Sequence, residues 1–196
     1  FKTLGLWASG FKQITTKGRP VNAPEDLKGM KIRVMPSPQL VEQYKSWGAN
    51  PIPIEYAELY NALQQNIVDG QENPLQTIAM AKLYEVQDYL TISDHGFLGY
   101  LFIVNRRWFE KQGEDVRKLI VECERGAREA ERLAQAEGEA RFLGQIKQSK
   151  IAVGELTDEN RAKFIEVSKP LHDKFVEGSA TKAELLKAVY EAKEVR

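Results

Sequence analysis

Asp26-Leu27-Lys28-Gly29-Met30-Lys31-Ile32-Arg33-Val34-Met35-Pro36-Ser37-Pro38 runs a turn of helix, a stop, a strand and a second stop in succession. Just upstream, Pro24 is a favoured first helical residue, Glu25 and Asp26 suit the positive end of a helix, and Gly29 supplies a left-handed exit. Met30 to Met35 then reads as a strand that Pro36 and Pro38 end. Moving outward, a helix follows from about Gln39 to Trp47, with Leu40, Val41, Tyr44 and Trp47 on one side and Gly48 closing it. Pro51-Ile52-Pro53-Ile54 is extended. Ala57 to Asn66 reads as a helix turning Leu59, Ala62, Leu63 and Ile67 inward, with Asn66 as a left-handed exit. Strand, helix, strand, helix with short links predicts an α/β lobe around a mixed or parallel sheet.

The flanks extend this pattern. Leu4-Gly5-Leu6-Trp7 and the patch around Phe11 and Ile14 read as short strands, and Pro74 leads a helix to about Leu83. Tyr89 to Ser93 is extended, and the apolar run Phe97 to Val104 reads as a fully buried strand. A long helix is predicted from about Glu114 to Gln148, where Val116, Leu119, Ile120, Cys123, Ala127, Ala130, Leu133 and Ala134 keep one apolar stripe. Gly126, Gly138 and Gly144 each weaken it by about 1 kcal/mol relative to alanine, and a break or bend is expected near Gly138. Ile151 to Val153 is a further short strand, Thr157 caps a helix to about Val176, and Thr181 to Glu194 forms a last one.

Composition narrows the function classes. The 196 residues are 42% hydrophobic and 29% charged, and 28 Lys plus Arg balance 28 Asp plus Glu. No bulk basic field exists to hold nucleic acid or an anionic membrane, so any bound anion needs a local site. With Cys123, His95 and His172 as the only cysteine and histidines, neither an internal disulfide nor a Cys/His metal cluster is expected. No apolar run approaches the roughly 18 residues that span a bilayer, and the opening Phe1 to Trp7 lacks the features of a signal peptide. An export signal is therefore expected to lie outside the chain. There is no Gly-x-Ser-x-Gly elbow, phosphate-binding glycine loop or Cys-x-x-Cys. No catalytic residue and no cofactor is called for.

Two segments carry chemistry. Arg33 lies at the C-terminal end of its predicted strand, where open α/β sheets bind ligands, and its planar fork can grip a carboxylate through two hydrogen bonds. Ser37 follows in the same turn, and a surface ion pair is the competing reading of Arg33. The second segment, Gln64 to Pro74, reads as a polar run between helices with an Asp69-Gly70 turn, carrying Gln71, Glu72 and Asn73. Asn73 can cap the helix led by Pro74 or turn its amide toward a cleft. Trp7 and Tyr56 occupy strand-to-loop positions where a flat apolar surface beside a carboxylate grip is useful; core packing is the alternative.

These stretches carry a resemblance. Gly10-Phe11-Lys12-Gln13-Ile14-Thr15, Pro24 to Val34, Gly48-Ala49-Asn50-Pro51, Glu58 to Gln64 and Val68-Asp69-Gly70-Gln71-Glu72-Asn73-Pro74 resemble the solute-binding proteins of tripartite ATP-independent periplasmic (TRAP) transporters, in order and in spacing. Tyr84-Glu85-Val86-Gln87 and His95-Gly96-Phe97-Leu98-Gly99-Tyr100 extend the likeness, which runs from residue 1 to about Phe175.

The resemblance implies a periplasmic-binding-protein fold, type II-like: an α/β flytrap of two lobes with a long helix along the hinge. Residues 1–104 would form mainly the second lobe with strands crossing to the first. Residues 105–196 would form the hinge helix and C-terminal helices packing on both lobes, and most of the N-terminal lobe would be absent from this chain. It implies a periplasmic, non-enzymatic receptor for a small organic acid, a C4-dicarboxylate or an acidic sugar, that delivers it to TRAP membrane subunits. Arg33 would pair with the ligand carboxylate, Asn73 would face the same cleft, and Lys12 would stand where some members place a second, arginine contact. Two rival readings remain: a ligand-sensing domain of a signalling system, and a hydrolase or lyase using Glu72 or Asp69 with His95.

Overall fold

A computed structural model of the chain describes residues 1–194. Its seven strands form one sheet. In chain order they are β1 (Lys2–Thr16), β2 (Lys31–Val34), β3 (Asn50–Pro53), β4 (Gly70–Pro74), β5 (Tyr89–Ile92), β6 (Phe97–Val104) and β7 (Ala152–Glu155). The helices are α1 (Pro38–Ser46), α2 (Leu59–Gln64), α3 (Leu75–Met80), α4 (Arg106–Glu110), α5 (Glu114–Lys147), α6 (Asp158–Val176) and α7 (Ala180–Glu194). The main path of the sheet is β3-β2-β4-β1-β5-β7, with β6 paired to β1 alone. β2 runs parallel to both β3 and β4, as the strand-helix alternation predicts, whereas β1 is antiparallel to β4, β5 and β6.

β1 organises this layout. The N-terminal patches read as separate short strands are one continuous strand, with Trp7 inside it rather than at a loop. Its C-terminal residues, Lys12 to Thr16, enter the main sheet between β4 and β5, while Lys2 to Phe11 pair with β6 in a projecting ribbon. The change falls at a bulge between Ala8 and Gly10, where Gly10 takes a φ of +112° that other residues rarely adopt.

The alternation of the central strands supplies two cores. Ile14, Ile32 and Val34 face Leu27, Tyr44, Trp47, Leu156 and Phe164 under α1 and α6. On the opposite face Leu90 joins Leu59, Leu63, Ile78 and Leu83, closed by Phe142 and Ile146 from the end of α5.

Several expectations need correction. The segment before Pro74 is not a loop: Gly70 opens β4, a wholly buried strand whose polar side chains find polar partners, and Pro74 itself precedes α3. Asn73 accordingly makes no helix-capping hydrogen bond. α3 also stops at Met80, short of Leu83. Ile67 is exposed, because the chain leaves α2 through left-handed Asn66 and turns outward before β4. β6 is not buried: Leu101 is 62% exposed, and Phe97, Tyr100, Phe102 and Ile103 are exposed with it.

α5 runs unbroken through Gly138, which is buried against Phe142, so the helix is not broken there. Its apolar stripe faces outward, with Val116, Leu119, Cys123, Ala127, Ala130, Leu133 and Ala134 exposed. The face that meets β1 is polar instead, and the reason is the strand's unpaired edge. Glu131 accepts from Ala8 N at 3.3 Å and Gln135 donates to Ser9 O at 2.8 Å, replacing a missing ladder. Gly5 permits the approach, since a Cβ there would lie 1.8 Å from Glu124 Oε1.

Candidate functional site

Four of the predicted residues, Arg33, Gln71, Glu72 and Asn73, lie on parallel β2 and β4. Arg33 pairs in register with Gln71, so alternation sends Arg33, Gln71 and Asn73 to one face and Glu72 to the other. Arg33 is 1% exposed. Its Nε donates to Ile54 O at 2.7 Å, while its buried Nη1 has no protein partner. Burial lowers the guanidinium pKa from its ordinary value, an effect that the charges of Glu72, Glu55 and Tyr56 oppose. A buried donor of a charged group without an acceptor is costly, so Arg33 is poised to take an anion.

Asn73 is buried beside it, its Nδ2 donating to Gln71 Oε1 at 2.5 Å. Gln71 Nε2 in turn donates to Thr15 Oγ1 at 2.9 Å. Tyr56, two positions beyond the carbonyl that Arg33 holds, is exposed at the start of a single 3-10 turn.

A second cluster occupies the opposite face. Lys12 Nζ stands 2.9 Å from Glu72 Oε1 and 2.7 Å from Oε2, and His95 Nε2 is 3.6 Å from the latter. The Tyr44 hydroxyl lies 3.2 Å from His95 Nε2, and the Ser93 hydroxyl 2.7 Å from His95 Nδ1. Arg161 from α6 donates to Ser93 O. Burial first, and the Glu72 charge second, push the Tyr44 pKa well above 10.0, so it stays a neutral phenol. Lys12 and Glu72 thus neutralise each other.

The remaining site residues are engaged elsewhere. Ser37 Oγ donates to Gln39 Oε1 at 3.2 Å, and the Trp7 indole N–H donates to Glu124 Oε1 at 3.1 Å on the ribbon, where the ring stacks on Phe102. The rival acid-base arrangement loses Asp69, whose carboxylate accepts from Lys31 N at 2.8 Å, next to the start of β4 rather than at its end. Sequence reasoning did not place Thr15, Tyr44 or Ser93 at the site. Tyr44 reads only as part of an apolar helix stripe, and Thr15 acquires a role only once β1 is registered against β4. A groove of about 470 Å³ between α1 and α6, lined by Glu42, Leu171 and Phe175 among others, contains none of the site residues.

The fold is thus an open α/β sheet that holds a buried, half-satisfied arginine at its strand ends. Residues 1–179 match the model of the bacterial extracellular solute-binding protein family 7, DctP, and the chain belongs to that family. It is 35% identical over 175 residues to the C4-dicarboxylate-binding protein DctB of Bacillus subtilis, covering 89% of this chain and 50% of that protein. Its fold superposes on the periplasmic ectoine-binding protein of the TeaABC TRAP transporter of Halomonas elongata with a TM-score of 0.90 at 31% identity, over 97% of this chain and 62% of the other. The sugar acid binding protein DctPAm of Advenella mimigardefordensis, in complex with galactonate, gives a TM-score of 0.90 at 33% identity, over 97% and 62% of the two chains. The chain therefore spans roughly half to three-fifths of the length of these relatives. Among the described residues no helix is long and apolar enough to cross a membrane.

Proposed function

We propose that this chain is the anchoring half of a periplasmic solute-binding protein that captures a small organic carboxylate and hands it to TRAP membrane subunits. The observation that carries the reading is Arg33, fully buried, fixed through Nε and left with an unpartnered Nη1. The ligands named for the relatives, C4-dicarboxylate, ectoine and galactonate, share a carboxylate, which is what a guanidinium fork recognises. Asn73 supplies a neutral contact on the same face. Among the buried residues described at the site, Glu72 already neutralises Lys12 and Arg33 keeps an unpartnered Nη1, so one carboxylate satisfies it. Lys12 contributes by holding Glu72, and Tyr56 offers an exposed aromatic edge at the mouth.

The exposed apolar ribbon and the outward stripe of α5 support the lobe assignment. Residues 1–104 form most of one lobe, residues 105–196 supply the hinge helix and the C-terminal helices, and a second lobe from residues outside this chain covers the ribbon and completes the cleft. Closure over the ligand excludes water and strengthens the charge pair.

A thermal-shift series on the full-length protein with succinate, galactonate and ectoine, and with galactose as a neutral control, tests the reading. A bound acid at 100 times its dissociation constant adds about 2.7 kcal/mol to stability, and the effect should vanish in Arg33→Met. Stabilisation by galactose equal to that by galactonate, or undiminished in Arg33→Met, would remove the carboxylate assignment. Titration of residues 1–196 alone should show far weaker, salt-sensitive binding, because a one-sided site leaves the ion pair wet.

A further inference from the structure

The strands around the site bury more polar side chains than an anion contact requires. Starting at a backbone carbonyl, Gln87 Nε2 donates to Val86 O at 2.9 Å, and the Thr15 hydroxyl donates to Gln87 Oε1 at 2.9 Å. Gln71 Nε2 donates to Thr15 Oγ1 at 2.9 Å, and Asn73 Nδ2 donates to Gln71 Oε1 at 2.5 Å. All four side chains are buried. The series has a direction: Gln87 and Gln71 each receive at the carbonyl end and give at the amino end, and Asn73 gives at Nδ2, so turning any one of the three amides over would set like against like, acceptor on acceptor at Val86 O or Gln71 Oε1, or donor on donor at Asn73 Nδ2. The polarity is fixed at Val86 O and is passed along to Asn73.

Stability alone does not explain this arrangement. Thr15 is registered opposite both Gln71 and Leu90, on a face otherwise filled by Leu83, Ile78 and Leu63. Apolar residues there would avoid desolvating four polar groups, whose mutual hydrogen bonds return little net free energy. What the series does supply is orientation. An asparagine amide has two ends of similar shape and opposite polarity, and an anion accepts only the N–H end. With one Nδ2 hydrogen committed to Gln71, the second N–H is held in a defined direction instead of exchanging places with Oδ1.

We propose that Thr15 and Gln87 are positioning residues that set the Asn73 side-chain amide for ligand, acting through Gln71. The proposal rests on the reading of Asn73 as a ligand contact. In the full-length protein, the Asn73 side-chain amide resonances, identified by their loss in Asn73→Ala, should move in Thr15→Val without any ligand present and return in Thr15→Ser. Titrated with succinate and with galactonate, Thr15→Val should bind the preferred acid about tenfold more weakly, the equivalent of one neutral hydrogen bond, and Thr15→Ser should restore it. In an Asn73→Ala background Thr15→Val should cause no further loss of affinity while still lowering the melting temperature. Unmoved Asn73 resonances, failure of serine to rescue, or an equal affinity loss with and without Asn73 would overturn the proposal. Should Thr15→Val not fold, Gln87→Met interrupts the series one link earlier and is read by the same spectra and titrations. Wild-type affinity in Asn73→Ala would refute the ligand contact, and the ligand-free spectra would still decide whether the series sets the amide.

Discussion

The Lys12–Glu72 pair gives the most quantitative test of the fold. Both side chains are nearly inaccessible, at 5% and 0% exposure, and the ammonium lies within 2.9 Å of both carboxylate oxygens. Replacing Lys12 by Met removes the cation paired with the Glu72 carboxylate and leaves His95 Nε2 beside it at 3.6 Å. Breaking a buried pair from one side costs about 3–5 kcal/mol, because the survivor keeps its desolvation penalty without its partner. Glu72→Met exposes the same imbalance from the other side. The combined Lys12→Met/Glu72→Met variant removes both charges from a site flanked by Ile14 and Trp47, and it should recover most of the loss. Urea unfolding of the four proteins at pH 7, followed by circular dichroism and compared at constant m-value, completes the cycle. A single variant losing less than about 1 kcal/mol, or a double variant losing the sum of the singles, would show that the pair is solvated and that Lys12 is free for another role.

Further outcomes follow from other sites. Arg33→Lys should weaken binding of the preferred acid by roughly 2–5 kcal/mol while the fold persists, since a fork in a desolvated site becomes a single-point contact; calorimetry showing wild-type affinity would exclude Arg33 as the anchor. Tyr44 is a neutral phenol in both folded and unfolded chains below pH 10, and above it only the unfolded chain ionises, because the folded pKa is raised. Stability should therefore fall above pH 10, and Tyr44→Phe should flatten that decline by about 1.4 kcal/mol per pH unit, measured as urea midpoints at successive pH values. Gly5→Ala should cost about 1–3 kcal/mol by pushing a Cβ into the Glu124 carboxylate. Gly126→Ala, where a Cβ meets nothing within 4 Å on the same helix, should instead add about 1 kcal/mol; melting curves that reverse this order would contradict the α5–β1 packing.

Sequence reading succeeded where local chemistry decides the outcome. Gly29 and Gly48 take the left-handed backbone that marks their stops, Thr157 accepts from Asn160 N as a cap, and Arg33 falls at a strand end before a proline-rich turn. It failed where a partner distant in the chain decides. β4 has no apolar alternation to announce it, because Gln71 is answered by Thr15 and Glu72 by Lys12, fifty-six and sixty residues away. The apolar runs of β6 and α5 show that surface wants covering but not that these elements leave it uncovered within this chain. Nor does periodicity reveal that α5 would meet β1 through Glu124, Glu131 and Gln135, a choice dictated by unpaired backbone groups on the strand.

The central position of β1 has a consequence for how the chain is made. Leaving the ribosome ahead of everything else described here, it finds its neighbours only when Gly70–Pro74, Tyr89–Ile92 and Phe97–Val104 have followed, and the helix that covers its bare edge comes later still. Every ladder it forms with another strand closes a long loop, which slows assembly and prolongs the exposure of an open strand edge. Until Gly70–Pro74 has emerged, the segment Lys2–Thr16 has none of its three partner strands to pair with. Holding it extended and unattached until the chain has passed Gln135 is a requirement on any factor that accompanies this protein before it folds.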